Sequence, residues 1–182
     1  RPFVDYYWLF QVVVYALYTW WGYYGLIVFR AAMYLATAAL VFRFLLRDRL
    51  STPALPWFIF IGLCSCLVLL PRDLLVRPHL FTFLFIIAFL YILELKPRWA
   101  GWLPVLGLVW VNVHGIVYPV MLMILGVYLL ESLLVRSPSI PRTSPWILLI
   151  AMAMVLATPH GIRLLRVPFV STTGASQYIR EL

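Results

Sequence analysis

Six apolar runs dominate this chain, and short segments rich in proline, glycine and arginine separate them. The runs cover residues 24–46, 54–70, 79–95, 99–113, 116–134 and 146–157. Continuous apolar runs of about 20 residues are typical of helices that cross the hydrocarbon core of a bilayer. The pattern therefore predicts an all-α, polytopic transmembrane bundle with about six membrane runs, of which the fourth and sixth are short.

The composition supports the same prediction of a transmembrane protein. Hydrophobic residues make up 65% of the chain and charged residues 11%, whereas soluble domains average roughly 45–50% and about 25%. These values predict an integral membrane protein. The net charge of +8 comes from arginines scattered between the runs, which argues against a nucleic-acid partner and favours membrane lipids with anionic head groups.

The two ends of the chain differ from the central runs. The aromatic-rich stretch 8–21 predicts an interfacial helix that stops at the glycines of 22–25. We expect three parts: an outer loop with this helix at 1–23, a transmembrane domain at 24–158, and a juxtamembrane amphipathic segment at 159–182. A chain that starts at Arg1 without an initiator methionine also predicts an internal piece of a longer protein.

All three histidines lie at the edges of apolar runs. They occur in the motifs Arg77-Pro78-His79, Asn112-Val113-His114-Gly115 and Pro159-His160-Gly161. If the runs cross the bilayer in alternation, the three motifs reach the same surface. The positive charges of the connectors divide seven to six between the two surfaces, so the positive-inside rule leaves the orientation open.

This shared surface is the candidate binding site. Arginine recognises phosphate through a bidentate fork, and ionisable side chains at membrane depth usually face a bundle interior or a wet cavity. A lipid phosphate would meet such groups at the surface, with its tail between the helices. The candidate residues are Asp5, Arg77, His79, Asn112, His114, His160 and Arg163.

Plainer roles are open for each candidate. The arginines could contact lipid head groups, and His79 and His160 could simply satisfy helix ends. A turn with Asn112 and His114 inside an apolar stretch is harder to explain without function, because its polar groups need partners. A zinc site is disfavoured, since the three histidines lie on three separate connectors.

Four short segments together resemble a group of bacterial membrane proteins related to the GT-C glycosyltransferases. The matching segments are residues 1–9, 77–81, 110–115 and 159–163, followed by Pro168-Phe169, in order over most of the chain. The chain departs from the family pattern at Phe3, Tyr7 and His160, where tryptophan, an acidic residue and tyrosine are common.

The resemblance implies a function and a location. GT-C enzymes take a sugar from a polyprenyl-phosphate carrier and transfer it at the extracytoplasmic face, here of a bacterial inner membrane, and some use a divalent cation. It would place the histidine-bearing loops outside. The main catalytic aspartate of the family would precede Arg1, and Asp5 matches a later acidic position of the same loop.

Two other classes of function stay open from the residues. The aromatic content of 17% also suits a non-catalytic structural subunit of a larger membrane assembly, with other membrane subunits as partners. A transporter is the third class, but the chain has no internal repeat and almost no charge in the middle of its runs.

Overall fold

The chain folds into a bundle of helices. The structure, a computed structural model, describes residues 7–47, 50, 52–73, 76–134 and 143–166. Its α-helices are α1 Trp8–Leu46, α2 Leu55–Asp73, α3 His79–Leu90, α4 Leu103–Val113, α5 Tyr118–Leu134 and α6 Pro145–Ala153. A π-helical turn, Tyr91–Leu95, extends α3, and short 3₁₀ helices lie at Pro97–Trp102, Gly115–Val117, Met154–Leu156 and Gly161–Arg166. The all-α class is confirmed for these residues.

Two of these helices are long and apolar enough to cross a membrane. They are Trp8–Leu46 and Gly115–Leu134, which includes the 3₁₀ turn before α5. Three further apolar helices are shorter, at 10–17 residues: Leu55–Val68, His79–Leu95 and Pro145–Leu156. The two long helices support the membrane class that composition predicts, and a bundle of six spans stays a prediction.

A sharp bend at Gly22 divides α1 into two parts. Gly22 has φ 59° and ψ −148°, a conformation that glycine adopts readily because it has no Cβ. The rings of Phe10 and Phe29 both contact Phe81, at centroid distances of 6.3 and 5.7 Å. In a straight helix these two residues would be about 28 Å apart. The predicted break is therefore confirmed, and the first part of α1 folds back over α3.

The core lies between α3, α4, α5 and α6. Trp110 of α4 is at its centre, stacked on Phe85 at 5.7 Å and edge-on to Phe89 at 5.3 Å. Such aromatic pairs add to the free energy gained from burial alone. Gly107 lets the neighbouring helices come close, because a Cβ there would lie 3.3 Å from the Met121 sulfur and 3.4 Å from the Ala151 carbonyl oxygen. The first two helices pack outside this core, with α1 between α2 and α3.

The helices alternate in direction, and this gives the bundle two polar ends. We call the end where α3 begins and α4 finishes the histidine end. There the rings of His79 and His114 are 4.7 Å apart, and the Asn112 amide donates to the Ala157 carbonyl oxygen just after α6 at 3.0 Å. His79 and His114 thus lie side by side at one end of the bundle, and the assignment of this end to one membrane surface stays a prediction.

The other end, where α3 finishes and α6 begins, is called the glutamate end. Arg47, just after α1, donates from Nη1 to the Leu95 carbonyl oxygen at 3.0 Å. The Tyr128 hydroxyl of α5 donates to Glu94 Oε1. The polar groups of the glutamate end thus lie the length of the bundle away from the histidines, as the alternating direction of the helices predicts.

Two predicted segments contain a tighter helix than expected. The run 99–113 begins as a 3₁₀ helix and becomes α-helical only from Leu103. The tail after residue 158, predicted as a surface helix, starts with a 3₁₀ helix at Gly161–Arg166. Gly161, the first residue of this 3₁₀ helix, has φ +48°. This left-handed conformation separates the 3₁₀ helix from the helical segments before it. Residues 1–6 and 167–182 of the predicted terminal parts lie outside the described residues.

Candidate functional site

His114 is fixed in the turn between α4 and α5. Its side chain is 1% exposed, because Gly115 starts a 3₁₀ turn that folds α5 back against α4. The ring Nδ1 lies 2.5 Å from Thr82 Oγ1 of α3. A buried polar group needs such a partner, since an unpaired one costs roughly 1–3 kcal/mol. The fold therefore holds this imidazole in one orientation.

Burial also determines the charge of His114. Desolvation lowers the pKa of its imidazole to about 4, and the neighbouring His79 adds to the lowering. The ring is thus neutral at pH 7 and carries one N–H. Either the Thr82 hydroxyl donates to a bare Nδ1, which leaves the proton on Nε2, or Nδ1–H donates to Thr82.

His79 and Arg77 add two further polar side chains to the site around His114. Both lie at the start of α3, and both side chains are exposed. The His79 ring is tilted 63° to the His114 ring, at a centroid distance of 4.7 Å. On the other side the Tyr7 ring lies 5.3 Å from His114. An exposed imidazole and an exposed guanidinium therefore stand beside a buried, neutral imidazole.

These groups share one open pocket at the histidine end. The pocket has a volume of about 260 Å³ and is lined by Tyr7, Phe10, Gln11, Arg77, Pro78, His79 and His114. Its polar groups are a cation and hydrogen-bonding side chains, and the Phe10 ring and the Pro78 ring supply apolar wall. A guanidinium with neutral donors suits an anionic oxygen group, and the apolar wall suits an attached hydrocarbon chain.

Asn112 has a structural task at this end. Its side chain is 6% exposed, and its Oδ1 accepts a hydrogen bond of 2.9 Å from Trp8 Nε1. Its Nδ2 donates to the carbonyl oxygens of Leu108 and Ala157, at 2.8 and 3.0 Å. The amide thus ties α1, α4 and the segment after α6 together. Its role as a phosphate ligand stays a prediction.

His160 and Arg163 lie at the same end but do not line this pocket. His160 is partly buried in the turn after α6, and Arg163 is exposed on the following 3₁₀ helix. That helix is anchored to α5, because the Tyr118 hydroxyl donates to the Leu165 carbonyl oxygen at 3.0 Å. The structure thus brings Arg77, His79 and His114 into one pocket and leaves the other two beside it.

The remaining predictions for this site concern a carboxylate, Asp5, and a divalent cation. Asp5 lies outside the described residues. Across the segments that the structure describes, no three His, Cys, Asp or Glu side chains are grouped so that they could hold a metal ion. Arg77 and the two imidazoles thus supply the charge and the ring nitrogens of the described pocket.

Sequence reasoning missed three contributors to the site. Thr82 holds His114, Tyr7 packs on it, and Trp8 holds Asn112. Thr82 could have been found, since a residue three positions after His79 lies on the same face of the helix. Trp8 gave no such signal, because its partner is 104 positions away.

Comparison with known proteins adds no relative. No family model, no curated protein and no solved structure matches the chain. These comparisons do not link the chain to GT-C enzymes, so that resemblance stays a prediction from the short motifs.

Proposed function

We propose that the pocket at the histidine end binds the phosphate of a lipid-linked sugar, and that the chain is part of a GT-C-like membrane glycosyltransferase. One observation carries the proposal. Arg77, His79 and His114, from connectors that are distant in sequence, meet in one pocket that also has an apolar wall. The family resemblance supplies the class of ligand, a polyprenyl phosphate that carries a sugar.

The residues divide the binding task by their charge and position. The Arg77 guanidinium pairs with the phosphate oxygens, because it is exposed and positively charged at any physiological pH. His79 donates a hydrogen bond from the start of α3. His114 stays neutral, since burial lowers its pKa. It therefore orients the phosphate by a hydrogen bond and adds no positive charge. Phe10 contacts the first isoprene units of the lipid.

The proposed reaction is a displacement at the anomeric carbon of the sugar. The bond from this carbon to the phosphate oxygen breaks, and the phosphate leaves with the electron pair, stabilised by Arg77 and the imidazole donors. An acceptor hydroxyl forms the new bond, and its proton passes to a carboxylate. The resemblance assigns that carboxylate to the outer loop, where Asp5 is the candidate in this chain.

The test uses the full-length protein in lipid nanodiscs with a polyprenyl-phosphate sugar as ligand. We expect Arg77→Ala to weaken binding about tenfold, which corresponds to about 1.4 kcal/mol. His114→Ala should abolish transfer while membrane insertion is retained. Arg98→Ala is the matched control, because Arg98 is an exposed arginine beyond the glutamate end of α3. Equal binding by the Arg77→Ala and Arg98→Ala variants would contradict the proposal.

A second candidate is a non-catalytic subunit of a membrane assembly. A specific observation favours it: the aromatic side chains around the bend of α1 are largely exposed, with Trp20 at 72%, Trp21 at 63%, Tyr23 at 72% and Tyr24 at 83%. Aromatic side chains of this kind are enriched in protein interfaces as well as at membrane surfaces. Photo-crosslinking from position 24 distinguishes a protein interface from a membrane surface. A subunit contact there gives one protein adduct, whereas a lipid-facing residue gives lipid adducts.

A further inference from the structure

The glutamate end contains a second cavity, which the proposed function does not use. It has a volume of about 260 Å³ and lies between the π-helical turn after α3, the last turns of α5 and the start of α6. Liquid water occupies about 30 Å³ per molecule, so the cavity has room for a group of several heavy atoms. Its polar lining residues are Arg47, Glu94, Tyr128, Glu131, Ser132 and Thr143.

Two carboxylates supply negative charge to this cavity. Glu94 lies on the π-helical turn, and its Oε1 accepts a hydrogen bond from the Tyr128 hydroxyl. Turns of this kind occur often at functional sites, because the extra residue redirects a side chain. Glu131 follows Tyr128 by three positions on α5 and therefore lies on the same face of that helix. The cavity thus has two glutamates on facing elements.

A buried hydroxyl without a partner also lines the cavity. Thr143 is 9% exposed, and among the described residues its Oγ1 meets no hydrogen-bond partner. Leaving such a group unpaired costs roughly 1–3 kcal/mol. A ligand in the cavity that donates a hydrogen bond would recover this free energy.

The lining of the cavity also carries the opposite charge. Arg47 is exposed and anchored there, because one guanidinium nitrogen donates to the Leu95 carbonyl oxygen at 3.0 Å. Arg47 also lines a neighbouring groove together with Arg43 and Lys96. Two carboxylates and a guanidinium in one lining match a zwitterion, whose cationic group pairs with the carboxylates and whose anionic group pairs with the guanidinium.

From this arrangement we infer that the cavity binds the phosphoethanolamine head group of a membrane lipid. A primary ammonium has three N–H donors, and the cavity offers three acceptors: the carboxylates of Glu94 and Glu131 and the hydroxyl of Thr143. The phosphate, two carbons further along the head group, pairs with the Arg47 guanidinium in this proposal.

A divalent cation fits this cavity less well. Calcium takes six to eight oxygen ligands at about 2.3–2.6 Å, and magnesium needs near-octahedral geometry. The guanidinium of Arg47 in the lining also repels a divalent cation. A hydrogen-bonding ammonium uses the same carboxylates without these requirements.

The experiment compares two lipids that differ only in the cationic group. Purified full-length protein is delipidated in detergent and titrated with phosphatidylethanolamine or phosphatidylcholine of identical acyl chains, and bound lipid is measured by native mass spectrometry. The quaternary ammonium of phosphatidylcholine has no N–H donor. We expect phosphatidylethanolamine to bind about tenfold more tightly, which is about 1.4 kcal/mol.

Variants locate the preference. Glu94→Gln combined with Glu131→Gln should bring the ratio of the two affinities to about one. Asp73→Asn is the control, because it removes one negative charge on α2, an element that contributes none of the described lining residues, and it should leave the ratio unchanged. Thr143→Val retains all charges and should lower the ratio several-fold, which keeps the test decisive if the double variant does not fold.

Three results would overturn the inference. The first is equal affinity of the unaltered protein for the two lipids. The second is a preference that survives in the double variant. The third is displacement of bound lipid by free ethanolamine at comparable concentration, which would identify a soluble amine as the ligand. Arg77→Ala should not change the preference, so failure here is separable from failure of the proposal for the histidine end.

Discussion

The two ends of the bundle contain cavities of similar volume but are built in opposite ways. At the histidine end the central side chains are buried and bonded to the protein: His114 is 1% exposed and Asn112 is 6% exposed. At the glutamate end Arg47, Glu94 and Glu131 are all exposed. The histidine end is thus organised by the fold itself, whereas the glutamate end offers charged groups to solvent or lipid. Substitutions at the first should cost stability, and substitutions at the second should mainly change binding.

The largest expected effect concerns pH. The folded protein holds His114 neutral with a pKa of about 4, whereas an unfolded histidine titrates near 6.5. The unfolded state therefore binds more protons between these values, and stability falls as the pH drops from 6.5 towards 4. The loss is about 3 kcal/mol at 1.36 kcal/mol per pKa unit. Thermal unfolding in detergent at several pH values measures it.

The control for this pH effect is His114→Asn, which removes the titrating group and keeps a polar atom near Thr82. Subtracting the stability curve of this variant from that of the unaltered protein isolates His114 from the carboxylates. Parallel curves for the two proteins would show that His114 is not held neutral by the fold.

The next largest effect should come from Asn112→Ala. The change removes three hydrogen bonds of a side chain that is itself 6% exposed, namely those to the Trp8 indole and to the carbonyl oxygens of Leu108 and Ala157. We expect a loss of about 2 kcal/mol in the free energy of unfolding. Glu131→Ala at the glutamate end is the comparison, and it should stay within about 0.5 kcal/mol. Equal losses for the two variants would end the contrast between the two sites.

A smaller effect should follow from Thr82→Val. The substitution keeps the shape of the side chain but leaves His114 Nδ1 without its hydrogen-bond partner. We expect a loss of about 1 kcal/mol, and Thr82→Ser should recover most of it. Denaturant unfolding of both variants gives the answer, and a valine variant as stable as the unaltered protein would show that this hydrogen bond does not hold the ring.

The smallest effect is expected for Tyr128→Phe. The hydroxyl of Tyr128 positions Glu94, but that carboxylate is exposed and can be solvated instead. We expect a loss of about 0.5 kcal/mol in stability together with a clear drop in the preference for phosphatidylethanolamine. Tyr15→Phe serves as the control, since Tyr15 is 73% exposed. A larger stability loss than that of Thr82→Val would reverse the assignment of the two ends.

The sequence allowed the ends of the runs to be predicted because these depend on local features. The break at Gly22, the start of α3 after Pro78 and the turn at Gly115 all follow from residues that stand next to one another. The meeting of His79 with His114 followed from alternation alone, since each crossing reverses the direction of the chain. These predictions needed no knowledge of how the helices pack.

The rest of the site could not be predicted, because it depends on how each helix is rotated about its axis. The bonds from Trp8 to Asn112 and from Tyr128 to Glu94 join residues 104 and 34 positions apart. The cavity beside Thr143 also needs the π-helical turn, which no pattern of apolar residues predicts. Six candidate residues of the histidine end were found by residue type, and their different positions relative to the pocket emerged only from the packing.

The bend of α1 has a consequence for access to the histidine end. Tyr7, Phe10 and Gln11 form one wall of that pocket, and all three come before the bend, whereas the opposite wall belongs to α3. The placement of that wall therefore depends in part on the backbone conformation of a single glycine that does not line the pocket. A side chain at Gly22 would meet no neighbour within 4 Å, yet its φ of +59° disfavours any residue with a Cβ. A substitution at position 22 should thus displace the wall formed by Tyr7, Phe10 and Gln11 without altering any side chain of the pocket.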